Sequence, residues 1–236
     1  MIFRDSTVRP ADTGTPDNLK TERGSTMKKA LAAILTVVIC GSSTLTAQDL
    51  KLPAPDTKGG KPLMQCMAAR KSARNFSPKQ LPPQIMANIF YAADGISRAD
   101  GRKTVPTARN AQNQMIYAAT SDGAWLYQPK TNTLKKIGSK DIRALCGKQS
   151  FHAKAPLVLI YVAEPAKVGS TPEMQQNYAA NHAGYASQNV YLYAASEGLN
   201  TVVCAMVDRD ALAKALNLPA GQQIMYSQPI GYPAGK

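Results

Sequence analysis

Histidine is almost missing from this chain. Only His152 and His182 occur in 236 residues, and neither lies at ligand spacing from a cysteine or a carboxylate, which argues against a metal centre. Acidic residues are scarce as well: 15 Asp and Glu stand against 28 Lys and Arg, a formal charge of +13. Such an excess attracts phosphates, nucleic acid and acidic lipid heads alike and does not choose among them. The cations are spread along the chain with no nucleic-acid motif, so they read as a solvated surface, and no nucleic-acid partner is expected. No Gly-x-Gly-x-x-Gly follows a predicted strand, which removes the support for a dedicated Rossmann dinucleotide site. No apolar run reaches the roughly 20 residues of an ordinary membrane span. Internal repeats and low-complexity blocks are absent too.

Residues 27 to 48 carry the parts of an export signal. Lys28 and Lys29 form the basic start, residues 30 to 39 the apolar stretch, and Ala47 is the small residue before a cut. Residues 1 to 26 are polar and without apolar period; they read as an upstream extension of the frame, with the true start at Met27 rather than Met1, or as a disordered tail. Cys40, after Val37-Val38-Ile39, matches a lipoprotein cleavage box only loosely. The expected location is therefore exported, periplasmic or lipid-anchored. Cleavage after Ala47 leaves Cys66, Cys146 and Cys204, an odd number in a compartment that allows disulfides, so at least one thiol stays free unless it pairs between chains. Residues 49 to 62, with Pro53, Pro55, Gly59, Gly60 and Pro62, read as a linker or N-terminal arm. Residues 63 to 236 are long enough for one domain with one core.

Within that domain, Pro82 and Pro83 open a helical pattern through Ile85, Ile89 and Tyr91 or Ala92, which Gly95 closes. Residues 94 to 107 read as a polar loop of the kind that carries binding residues. Residues 115 to 120 and 124 to 127 flank the turn Ser121-Asp122-Gly123, a predicted hairpin. A short helix is expected over 141 to 145, and the apolar run 155 to 162 has the pattern of a strand buried on both faces. The longest predicted helix spans 172 to 197: Ala179, Ala183, Ala186, Val190, Tyr193 and Ala194 recur at three- and four-residue steps, and Gly198 supplies the stop. Gln188 and Asn189 lie beside this stripe, either as polar satisfiers of a packing surface or as ligand contacts. A buried strand over 201 to 207, a short helix over 210 to 216 and a last strand over 224 to 230 complete an α+β reading.

Two polar clusters stand out, Arg70-Lys71-Ser72-Ala73-Arg74 and Pro106-Thr107-Ala108-Arg109-Asn110-Ala111-Gln112. If both run extended, Arg70, Ser72 and Arg74 share one face, and so do Ala108, Asn110 and Gln112. Guanidinium groups with a hydroxyl suit a phosphate, and Asn and Gln amides suit the edge of a heteroaromatic ring. FMN has both parts. These clusters, with Ala92-Ala93-Asp94-Gly95-Ile96-Ser97-Arg98, Gly184-x-x-x-Gln188-Asn189, Glu197-Gly198-Leu199 and Pro229-Ile230-Gly231-Tyr232-Pro233, resemble the nitroreductase family in order and spacing. The resemblance covers residues 62 to 234 and leans toward the subgroup that includes the oxidases of peptide thiazolines and oxazolines.

The resemblance implies a central mixed β-sheet flanked by helices and a homodimer with FMN at its interface. Residues matching Arg70 and Ser72 hold the phosphate and ribityl end, with Lys71 in the same cluster, while the match of Arg74 approaches the pyrimidine edge of the ring. Those matching Thr107, Asn110 and Gln112 come from the partner subunit. Two departures stand against the pattern. Ala205-Met206 replace a Glu-Gly pair common in relatives, leaving only a backbone contact there, and the basic residues after the last strand are reduced to Lys236. The implied activity is an FMN-dependent oxidoreductase that reduces nitroaromatic or quinone-like small molecules by taking and giving electrons in turn. The alternatives are a flavin oxidase or dehydrogenase of a peptide or small molecule, and a flavin-binding protein without turnover. Export makes a nicotinamide donor uncertain, and no catalytic side chain is singled out, because a bound flavin brings its own redox chemistry.

Overall fold

The computed structural model describes residues 48 to 235. The expected extension over 1 to 26, the export signal up to Ala47 and Lys236 lie outside the described residues. The described chain forms β1 (Leu50–Lys51), α1 (Leu63–Ala69), α2 (Pro83–Asp94), β2 (Gln114–Thr120), β3 (Gly123–Gln128), β4 (Thr133–Gly138), β5 (Leu157–Ala163), α3 (Pro172–Glu197), β6 (Asn200–Thr201), α4 (Arg209–Ala215) and β7 (Gln223–Gly231). Local chemistry sets the long helices. Proline occupies the first turn of α2 and of α3, where its missing N–H costs nothing. The Thr171 hydroxyl accepts from Met174 N at the start of α3, and Gly198 ends it in the left-handed conformation at φ 68°.

The strands make one sheet in the order β1-β4-β3-β2-β5-β7-β6. Helices flank it as expected, but every pairing among the described strands is antiparallel rather than mixed. The reason is topological. β5 and β6 run the same way on either side of the α3 crossover, and β7 inserts between them, so the parallel pair never touches. β5 is the centre of the core. Leu157, Leu159 and Tyr161 face α2 and α3, while Val158, Ile160 and Val162 face the side covered by α4 and the segment 142 to 155.

Several expectations are corrected. Of the two readings of residues 49 to 62, the contacts fit the N-terminal arm and not the linker: β1 pairs with β4, Asn132 Nδ2 donates to Pro53 O at 2.7 Å, and Asp56 N donates to Asn88 Oδ1 at 2.8 Å. The expected strand over 201 to 207 shrinks to β6 plus a single bridge from Cys204 to Ser227. A tight turn, Val207 N to Ala205 O at 3.0 Å, pulls the chain off the sheet edge. The expected helix over 141 to 145 is a 3-10 turn, Arg143–Cys146. Cys66, Cys146 and Cys204 are all free and buried.

Candidate functional site

The first cluster follows α1. Arg70 N closes the helix on Cys66 O at 2.9 Å, the chain turns out with ψ 124°, and Ala73 N donates to Thr201 O at 3.0 Å. This pins residues 70 to 74 along β6 and places Ser72 beside Tyr191 of α3. The two hydroxyls are 2.9 Å apart, and the Tyr191 oxygen also accepts from Val203 N at 2.9 Å. That arrangement lets Tyr191 give its proton to Ser72, whose own O–H is then free for an incoming acceptor. The Arg70 guanidinium lies over the Tyr191 ring, 5.3 Å from its centroid, a cation-π contact that holds the charge without neutralising it. Lys71 and Arg74 are exposed. None of the three cations is salt-bridged among the described residues. Burial pushes the Cys204 thiol up, and nearby Arg74 pulls the other way. A cavity of about 260 Å³ lined by Lys71, Tyr191 and Thr201 adjoins the cluster.

The second cluster does not run extended. Ala108–Asn110 form a 3-10 turn, and Arg109, Asn110 and Gln112 have φ of 54°, 53° and 44°. Asparagine tolerates the left-handed region; arginine and glutamine pay about 1 to 2 kcal/mol there. Three such residues within four positions need outside support, and strain of this kind gathers at functional sites. The support comes from His182 of α3. Its Nε2 accepts from Ala108 N at 3.0 Å, which leaves Nδ1 to donate to Asn113 Oδ1 at 2.8 Å. His182 is thus held neutral, and burial lowers its pKa. Thr107 Oγ1 accepts from Gln112 N at 2.9 Å, and Gln112 Nε2 reaches Asn110 Oδ1 at 3.3 Å. The turn therefore brings Thr107, Asn110 and Gln112 together, though not by the alternation of a strand.

The loop before this turn is bolted to the core. Lys103 Nζ meets Asp94 Oδ2 at 2.5 Å with both side chains largely buried. Burial outweighs the lysine and pushes the Asp94 carboxyl up to about 6. A groove of about 380 Å³ runs along the loop, lined by Arg98, Arg102, Lys103, Thr107 and Asn110.

The two clusters rest on opposite sides of α3. His182 and Tyr191 are nine residues apart in the sequence, about 13.5 Å along the axis and about two and a half turns around it. Within one chain they do not converge. Of the remaining expected residues, Ala205 and Met206 are exposed, with Met206 O accepting from Lys148 N at 3.1 Å. Asn189 is a packing residue: its Nδ2 donates to Ala92 O at 3.1 Å, tying α3 to the end of α2. Gln188 is exposed. Tyr191 and His182, the anchors of both clusters, escape sequence reasoning. Their only signal is a polar ring in an alanine-rich helix.

Residues 67–232, which hold both clusters and both anchors, match the model of the nitroreductase family. The chain belongs to the nitroreductase family. It is a flavin-dependent oxidoreductase of that family. A nitroreductase-type protein of Methanocaldococcus jannaschii is 30% identical over 164 residues, 65% of this chain and 82% of the relative. The crystal structure of a nitroreductase-type protein from Ralstonia eutropha superposes with a TM-score of 0.76 at 32% identity, covering 81% of this chain and 92% of that one. More distant structures share the fold. One is a nitroreductase-type protein in complex with FMN from Desulfovibrio desulfuricans, with TM-score 0.55, 19% identity, and 75% of this chain and 89% of that one covered. Another is the E. coli microcin synthetase McbBCD complex with truncated pro-MccB17 bound, with TM-score 0.63, 19% identity, and 71% and 70% covered.

Proposed function

We propose that this nitroreductase-family protein is an exported, homodimeric enzyme that holds FMN between two chains and reduces nitroaromatic or quinone-like small molecules. The observation that carries the reading is the opposed placement of the two clusters on α3. A ligand contacting both Arg70-Ser72 and Thr107-Asn110 must take them from different chains. The residues present fit the cofactor. Arg70 and Ser72 offer an un-neutralised guanidinium and a free O–H that would hold a phosphate, Arg74 would bring a positive charge to the pyrimidine edge, and the strained turn would supply Thr107, Asn110 and Gln112 to the ring. Ala205 and Met206 offer only backbone. When bound, the flavin supplies the redox chemistry, accepting electrons from a donor and passing them to an acceptor in turn. The chain's part is to hold, orient and electrostatically tune it.

Leu63, Met64 and Met67 leave an exposed apolar face on α1, next to the first cluster, which supports a second copy covering it. Export rests on the signal pattern of residues 27 to 48. Cleavage after Ala47 keeps every residue of β1, so the edge of the sheet survives processing.

The test combines colour and mass. The purified protein is expected to be yellow, to release FMN on denaturation, and to scatter light as a dimer. Arg70→Ala should weaken FMN binding by roughly 1.5 to 3 kcal/mol, the range of a charge-assisted bond. A colourless protein that takes up no added FMN refutes the cofactor, and an FMN-loaded monomer refutes the shared site. Stopped-flow mixing with NADH and NADPH, then with a quinone or oxygen, separates a reductase from an oxidase that draws electrons from its organic substrate.

A further inference from the structure

The groove in front of Thr107 and Asn110 is lined by three cations whose charges are not equally available. Lys103 is neutralised by Asp94 at 2.5 Å. Arg102 Nε stands 3.5 Å from Asp100 Oδ2, but both side chains are more than half exposed, so that pair binds weakly and leaves most of the guanidinium's donors open. Arg98 has no carboxylate partner among the described residues. The groove therefore carries uncompensated positive charge in a space of about 380 Å³, enough for a small aromatic molecule.

The loop that presents these cations is set in place. Thr104 N donates to Gly95 O at 2.8 Å, Ser97 N to Arg102 O at 2.9 Å, and Gly101 N to Arg98 O at 3.0 Å. Gly101 takes φ 82° at the bend, where a side chain would be strained. Gln112 Nε2 then donates to Gly101 O at 3.3 Å. The cationic loop and the strained turn are thus one hydrogen-bonded unit. Thr107 and Asn110 belong to both the groove and the ring-facing cluster.

We propose that this groove takes the anionic group, a carboxylate or a phosphate, of the molecule that exchanges electrons at the adjoining flavin site. Arg98 is the specificity-determining residue, its planar fork matching either oxyanion, and Arg102 assists. The inference rests on the proposed flavin site, because only Thr107 and Asn110 make the groove a substrate site.

Equilibrium binding to the purified protein tests it, with calorimetry as the readout and four probes that leave the flavin oxidised: 4-nitrobenzoate, nitrobenzene, NADP+ and NAD+. The expected result is 4-nitrobenzoate binding about tenfold more tightly than nitrobenzene, with Arg98→Gln abolishing that preference and leaving the nitrobenzene Kd within twofold. If Arg98→Gln instead weakens NADP+ about tenfold and spares 4-nitrobenzoate, the anion is the phosphate of a dinucleotide donor and the proposal stands in that form. Unchanged affinity for both anions overturns it. The absorption spectrum of the same samples keeps the two readings apart. Flavin-loaded protein without anion preference defeats the groove alone, and protein that binds no flavin defeats both.

Discussion

Tyr191 shows how much one side chain can organise. Its ring carries Arg70, and its hydroxyl serves both Ser72 and Val203 N. Tyr191→Phe keeps the ring and removes the shared oxygen, leaving Val203 N–H unpaired. The expected loss is about 1 to 2 kcal/mol of stability by urea denaturation, together with faster FMN release. Tyr191→Phe protein as stable as wild type would show that the hydroxyl is incidental. His182 yields a pH dependence. Its pKa is lowered in the folded protein, so on acidification the unfolded chain takes up the proton first. The histidine's contribution is complete above about pH 6.5 and is lost as pH falls through the folded value. Burial also lowers His152, which adds a slope of the same sign. The comparison is therefore with His182→Gln, which should lose less melting temperature than wild type between pH 7.5 and pH 5.

At the scale of elements, the loop from 95 to 112 depends on one buried ion pair. Lys103→Met leaves Asp94 without its countercharge, at an expected cost of about 3 kcal/mol at pH 7. Asp94 is pushed up to about 6, above its unfolded value. Whatever stability its proton brings is therefore present at low pH and lost as pH rises through about 6. The Lys103→Met penalty should accordingly shrink at pH 5, where a neutral carboxyl needs no lysine, and denaturation at the two pH values reads this directly. A penalty equal at both would mean that the pair is not the anchor.

These elements were unevenly legible in the sequence. α2, α3, the β2-β3 hairpin, β5 and β7 followed from periodicity and from Pro and Gly punctuation. β1 and β6 have two residues each and so no period to read. β4 shows Lys135-Lys136 where a strand pattern is sought, because Lys136 lies over the Trp125 ring, 4.0 Å from its centroid, instead of marking a loop. The identities of the candidate site residues were visible as two clusters. Their geometry was not, since the left-handed turn contains no glycine and its support, His182, lies 74 positions from Ala108.

For the whole molecule, the proposed export makes a sharp demand on the chain's mass. Protein recovered from the periplasm should begin at Gln48 by mass spectrometry, whereas a lipid-modified Cys40 would show the loose cleavage box to be real. The three thiols suit such a journey: all are buried, and burial pushes Cys146 up to about 12, which keeps it unreactive. Because His182 and Tyr191 face opposite ways on one helix, injuries to the two halves of the site in the proposed dimer would be inherited separately. In that dimer, a chain carrying Arg70→Ala and another carrying Asn110→Ala would each bind FMN weakly at both sites when expressed alone. Expressed together, their mixed dimer would hold one site with both injuries and one with neither, so two weakened alleles would complement each other and restore tight FMN binding at one site per dimer.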